Sequence, residues 1–146
     1  MTSKPILLVE DNPDDEELIL LALKDHNVAN EVMVARDGVE ALDYMFATGK
    51  FAGRKPFAIP ALILLDLKLP KLSGLDVLKR LREDPRTKTI PVVILTSSNE
   101  EQDVVTSYQL GVNSFVRKPI DFHEFQKVVK EIGVYWLLVN QPPQLE

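Results

Sequence analysis

The sequence predicts an α/β domain, a doubly wound five-stranded parallel sheet with helices on both faces. Three observations predict it. Five short apolar runs alternate with five longer amphipathic segments, so that strand and helix follow one another five times. The best of these runs are apolar at every position rather than at every second one, as strands buried on both faces are. The chain has 146 residues, enough for one domain with a core of its own.

Ile6-Leu7-Leu8-Val9, between Pro5 and a run of acids, is the first strand. Asn12-Pro13-Asp14-Asp15 opens the first helix: Asn12 can cap, Pro13 suits the first helical position, and the acids favour the positive end of the helix dipole. Acids after a strand are commonly no more than this, and Asp14 to Glu17 are read as helix-start residues. Leu18, Leu21 and Ala22 are expected to face the core. Glu31 to Ala35 is the second strand. Asp37-Gly38-Val39-Glu40 resembles a capping box, with Val39, Leu42 and Phe46 at helical spacing and Gly49 at the helix end. A loop rich in Gly, Pro and basic residues runs from Lys50 to Pro60. Ala61 to Leu65 is the third strand, ending at Asp66.

Ser73-Gly74 opens a third helix through Leu75, Leu78 and Leu81, which Asp84-Pro85 stops. Pro91 to Leu95 is the fourth strand, ending at Thr96. Ser98-Asn99-Glu100-Glu101 reads as a further capping box and Gly111 as the end of that helix. Ser114-Phe115-Val116 is the fifth strand. Asp121 starts the last helix, which buries Phe125, Val128, Val129 and Ile132.

Composition narrows the function. Hydrophobic residues make up 45% and charged residues 27%, values of a folded globular chain, and there is no cysteine. Disulfide scaffolds, thiolate catalysis and Cys-ligated metals are excluded. Lys and Arg number 17 against 22 Asp and Glu, a net charge of −5, which argues against a nucleic-acid partner. No apolar run approaches the roughly 20 residues that cross a bilayer. The first five residues lack a signal-peptide pattern, so the expected location is cytoplasmic, with no membrane partner.

In a doubly wound sheet the working site lies beyond the carboxyl ends of the strands. There the sequence places Glu10 and Asp11, then Asp66, then Thr96, then Lys118-Pro119. Three carboxylates brought together repel and resist ionisation unless a cation joins them. A hard divalent ion with oxygen ligands, Mg²⁺ above all, suits them and leaves coordination room for a phosphoryl oxygen. A carboxylate beside such an ion is a nucleophile towards phosphorus, and Thr96 and Lys118 could hold the other phosphoryl oxygens.

With these motifs the chain resembles the receiver domains of two-component response regulators. ILLVEDN (6–12), LLDLKLPKLSG (64–74), ILTSS (94–98) and FVRKP (115–119) carry the resemblance, over about residues 4–134. It implies the (βα)5 flavodoxin-like receiver fold. It implies Asp66 as phosphoacceptor, Asp11 as a direct Mg²⁺ ligand, Glu10 as a ligand through water and the Lys68 backbone carbonyl as a further ligand. Thr96 would move to the phosphoryl group, Lys118 would pair with it, Phe115 would be the aromatic switch residue, and the Lys118–Pro119 bond would be cis. The donor would be a phosphohistidine of a sensor histidine kinase. Such a protein is no turnover enzyme, although it assists its own phosphorylation and slow dephosphorylation. Glu10 replaces the commoner Asp, Lys68 puts a cation where many relatives are neutral, and Ser73 stands where Asp or Asn is common.

The alternative is an aspartyl-phosphate phosphatase of the haloacid dehalogenase type. Those enzymes place a second Asp two positions after the nucleophile as general acid, where this chain has Lys68. A nucleotide or flavin binder would need a Gly-rich or Ser/Thr-rich loop after the first strand. That loop is acidic, and no G-x-G-x-x-G occurs. His26 and His123 are too distant in sequence to suggest a pair, and both fall on predicted helices.

The basic loop at 50–60 and the tail through Tyr135-Trp136-Leu137-Leu138 are similar to the small regulators that partner bacterial phytochrome kinases. Residues 1–134 are expected to form the receiver and 135–146 an extension of the last helix and a tail. Since the chain stops soon after that helix, no DNA-binding output is expected. Val134 to Val139 are six successive apolar residues, which cover a helix's whole circumference. Some must face away from the sheet, so a homodimer through the last helix is expected.

Overall fold

The computed structural model describes residues 4–24, 30–54 and 59–143. Its elements are β1 (Ile6–Val9), α1 (Pro13–Lys24), β2 (Val32–Ala35), α2 (Gly38–Phe46), a 3-10 turn (Gly49–Phe51), β3 (Leu62–Leu65), α3 (Gly74–Glu83), β4 (Val92–Thr96), α4 (Glu101–Gln109), β5 (Ser114–Arg117), α5 (Phe122–Val134) and a terminal π-helical turn (Tyr135–Val139). The strands form one parallel sheet in the order β2-β1-β3-β4-β5. This is the predicted architecture, with strand bounds moved by a residue.

Alternate strand positions feed two apolar layers. Leu7, Val9, Ile63, Leu65, Val92 and Ile94 face α2 and α3. Ile6, Leu8, Leu62, Leu64, Val93 and Leu95 face α1 and α5. Every residue of β1, β3 and β4 is buried, which is why those three runs are apolar throughout.

Several caps form as read. Asn12 Oδ1 accepts from the N–H groups of Asp14 and Asp15 at 2.9 and 3.1 Å. Asp37 accepts from Glu40 N–H at 2.7 Å, Ser73 and Asp76 close a reciprocal box, and Asp121 accepts from Glu124 N–H at 3.0 Å. Gly111 sits just beyond α4 at φ +98°, the left-handed conformation that favours glycine.

Other readings are corrected. Leu21 is exposed, and α1 buries Ile19, Ala22 and Leu23 instead. Six successive apolar residues, 18–23, left periodicity no means of choosing a face. Val39 is exposed too; α2 turns Ala41, Tyr44 and Met45 inward, because Gly38 is pressed against Leu72. Glu40 pairs with Lys50 at 3.1 Å. α2 stops before Gly49: Ala47 takes the left-handed conformation at φ 54° and its N–H bonds back to the helix. α4 is capped by Glu100 without a side-chain bond, since the Ser98 hydroxyl is used elsewhere. No cis peptide bond occurs among the described residues, so Lys118–Pro119 is trans, the lower-energy isomer, and Lys118 reaches its partners in that form. His26 lies outside the described residues. His123 is exposed on the first turn of α5.

Candidate phosphoacceptor site

The sheet ladder continues one step past the strands and holds the site residues by their backbones. Glu10 N–H donates to Ala35 C=O at 3.0 Å, Asp66 N–H to Val9 C=O at 3.0 Å, and Lys118 N–H to Thr96 C=O at 2.7 Å. Gly74 lets α3 approach from behind. A β-carbon there would lie 2.2 Å from the Asp66 carbonyl oxygen, so a side chain would push against the backbone of the residue that carries the central carboxylate.

Asp66 is buried and bonded on both oxygens. Oδ1 accepts from the Thr96 hydroxyl at 2.8 Å and from Lys68 N–H at 3.2 Å; Oδ2 accepts from Lys118 Nζ at 2.8 Å. Lys118 Nζ also donates to Glu10 Oε1 and Asp15 Oδ2, each at 2.8 Å. All three of its protons are thereby committed. The second oxygen of Glu10 accepts from Asn12 N–H at 3.2 Å.

The carboxylates respond differently to one environment. Burial pushes Asp66 up, yet the bonds and charge of Lys118, with Thr96 and Lys68 N–H, hold it below the usual range. Burial dominates at Glu10, and the negative charge of Asp66 adds to it. Against the pull of Lys118, Glu10 rises to about 7. Burial would lower Lys118, but its bonds to Asp15, Asp66 and Glu10 raise it above the ordinary lysine value.

Ligand oxygens of Glu10, Asp11 and Asp66 lie within 4.8 Å of one another. Together with Asp15 they make four carboxylates, of which Glu10, Asp15 and Asp66 bond the Lys118 ammonium. Burial and the Asp66 charge both work against ionisation of Glu10, and a further positive charge among these oxygens would favour it. This all-oxygen donor set fits a hard divalent cation.

The structure brings together Glu10, Asp11, Asp66, Thr96 and Lys118, as the sequence placed them. The Lys68 side chain is exposed. Phe115 is half-buried opposite Ile94, on the sheet face that Thr96 shares, and packs against the layer under α2 and α3. Two residues expected only as helix-start residues have further partners. Asp15 belongs to the site and not merely to the helix start. Ser98, buried, donates through Oγ to Asp103 Oδ2 at 2.5 Å and accepts from Glu100 N–H at 3.3 Å, while its own N–H reaches Thr96 Oγ1 at 3.4 Å. A hydrogen-bond chain thus leads from Asp66 through Thr96 and Ser98 into α4.

Residues 6–130 match the family model of the response regulator receiver domain. The chain belongs to this family. Receivers are the phosphoaccepting signalling modules of two-component systems, and their partners are sensor histidine kinases. This receiver is 40% identical over 134 residues to the response regulator Rcp1 of Synechocystis sp., covering 92% of this chain and 89% of that protein. The crystal structure of Rcp1 in its Mn²⁺-bound form superposes with a TM-score of 0.89 at 38% identity, over 97% of this receiver and 99% of that chain. The phosphorylated cyanobacterial phytochrome response regulator RcpA gives 0.90 at 41% identity, over 98% and 100% of the two chains. The bacteriophytochrome response regulator AtBRR is 55% identical, with a TM-score of 0.76, over 97% and 100%. The family match does not favour the phosphatase alternative. Among the described residues no helix is long and apolar enough to cross a membrane.

Proposed function

We propose that this receiver takes a phosphoryl group from a kinase phosphohistidine onto Asp66, in a Mg²⁺-dependent reaction within the cytoplasm, and that the kinase is a bacterial phytochrome. The observation that carries the acceptor assignment is the pairing of an ammonium and a hydroxyl, Lys118 and Thr96, on the two oxygens of one buried carboxylate. The likeness to RcpA, AtBRR and Rcp1 supports the phytochrome partner and a divalent ion.

Glu10, Asp11 and Asp66, with the Lys68 carbonyl, would hold Mg²⁺. When bound, Mg²⁺ supplies positive charge against the oxygens of the transferring phosphoryl group. An Asp66 oxygen forms the new bond to phosphorus as the bond from phosphorus to the histidine nitrogen breaks, and that nitrogen keeps the electron pair. Lys118 neutralises developing charge on the phosphoryl oxygens. Thr96 turns its hydroxyl from Asp66 to the phosphoryl group, and Phe115 rotates into the space it leaves. No second aspartate stands at Lys68 to drive turnover, so the product is a signalling state and not a released phosphate. Residues 135–146, with the end of α5, serve as the dimerisation element.

Intact mass after incubation with Mg²⁺ and a small phosphodonor tests the reading. The wild-type chain should gain one phosphoryl group, and the near-isosteric Asp66→Asn should fold and gain none. Undiminished labelling of Asp66→Asn would remove the assignment.

A further inference from the structure

Among the described residues, Asp15 is the one carboxylate bonded to Lys118 that lies outside the Glu10, Asp11 and Asp66 group. Glu10 and Asp66 each do two things: both bond Lys118 Nζ, and both converge with Asp11 within 4.8 Å. A cation among Glu10, Asp11 and Asp66 would draw on the same oxygens that hold the ammonium, and like charge would push Nζ away. Phosphoryl transfer then removes Asp66 as an ionic partner altogether. Asp15 is outside that competition. It comes from the first turn of α1, 103 positions from Lys118, and its Oδ2 lies 2.8 Å from Nζ. Its side chain is 25% exposed, against 7% for Lys118 and 2% for Glu10, so it sits at the rim of the site, where it can follow the ammonium outward.

We infer that Asp15 is a positioning residue for phosphoryl transfer. It keeps the Lys118 ammonium in the mouth of the site when cation and phosphoryl group have claimed its other two partners. This rests on the reading of Asp66 as acceptor. The bond is charge-assisted and lies in a part-buried setting, the kind whose loss is felt in rate. The competing account is electrostatic: an extra negative charge near an incoming phosphoryl group slows it. The two accounts predict opposite signs for removal of the charge.

The test compares full-length wild type, Asp15→Asn and Asp15→Glu. Phosphorylation rate with a small phosphodonor is read by intact mass, Mn²⁺ affinity by calorimetry, and the Lys118 NH₃⁺ signal by NMR. Asp15→Asn should phosphorylate about tenfold more slowly, what one bond to a charged group is worth. Its Mn²⁺ affinity should change less than that, and the Lys118 NH₃⁺ resonance should broaden through faster exchange with water. Asp15→Glu, which keeps the charge, should recover most of the rate and the resonance. An Asp15→Asn rate equal to or above wild type overturns the inference, as does a Lys118 signal unmoved by the substitution. Wild-type labelling with undiminished Asp15→Asn labelling sinks this inference alone. Absence of wild-type labelling sinks the acceptor reading, and the inference with it.

Discussion

At the residue scale the site is governed by one ammonium serving three carboxylates. Glu10 bears the cost, with its carboxyl raised to about 7 from an ordinary 4.5. A group whose folded-state affinity for protons exceeds its unfolded one stabilises the fold fully below the unfolded value and loses that contribution as pH rises through the folded value. For Glu10 that window runs from about 4.5 to about 7. Asp66 is shifted the other way, and its contribution is lost only in more acid solution. Metal-free protein should therefore be less stable to urea at pH 7.5 than at pH 5.5, and Glu10→Gln should flatten that difference. A wild-type profile without the fall would show that Glu10 is ionised throughout. Ser98 is the second residue of consequence. Ser98→Ala leaves Asp103 and Glu100 N–H without their buried partner, at a cost of about 1–3 kcal/mol. Urea denaturation should show that loss, and amide exchange should be fastest in the first turn of α4.

At the element scale the helices are not held alike. α3 buries Val77, Leu78 and Leu81, and α5 buries Phe125, Val129 and Ile132. α4 fully buries only Ser107 and exposes Val105 and Tyr108. Polar ties secure its start: Ser98 to Asp103, and Arg117 to Glu101 at 3.7 Å and to the Ser98 carbonyl at 3.3 Å. An element with little buried apolar area can shift at low free energy. That suits a helix whose first turn is linked through Ser98 and Thr96 to Asp66. Thr96→Ala should still take up phosphate but show a smaller chemical-shift change across α4, β5 and α5 than wild type does. An equal response would rule out this route of coupling. α3 has the opposite character. Gly74→Ala must displace the Asp66 backbone, and overpacking of this kind costs about 1–3 kcal/mol. The substitution should lower both the denaturation midpoint and phosphate uptake.

At the scale of the whole molecule the end of α5 is where surface and core meet. Trp136 and Leu137 pack against the layer under α1 and α5, so part of the terminal turn completes this chain's own core. Tyr135, Leu138 and Val139 are 49%, 76% and 63% exposed. Three neighbouring large apolar side chains in water, one of them aromatic, are the composition of an interface core. Sedimentation of the full chain should give a dimer at micromolar concentration, and a chain ending at Gly133 a monomer. A monomeric full chain, with and without phosphorylation, would end the dimer proposal.

The sequence by itself determined what local physics controls. Strands buried on both faces must be apolar at each position, so β1, β3 and β4 were legible, and with them the residues at their carboxyl ends. Caps at Asn12, Asp37, Ser73 and Asp121 were legible because a short polar side chain bonds a backbone only two or three residues away. What the tertiary structure decided was every choice among locally equal options. Residues 18–23 offer apolar side chains all round α1, and only packing against α5 turned Leu21 outward. Arg82 looks like any basic residue on a helix. In the fold it donates to the carbonyls of Thr87, Lys88, Ile90 and Gly111 and to Asn113 Oδ1, tying α3 to the loops before β4 and β5. Asp15 and Ser98 already had adequate local roles as helix-start residues. Nothing nearby in sequence marks Asp15 as a partner of Lys118, because an ionic bond between residues that far apart in the chain exists only once the sheet has brought α1 and the end of β5 to one mouth.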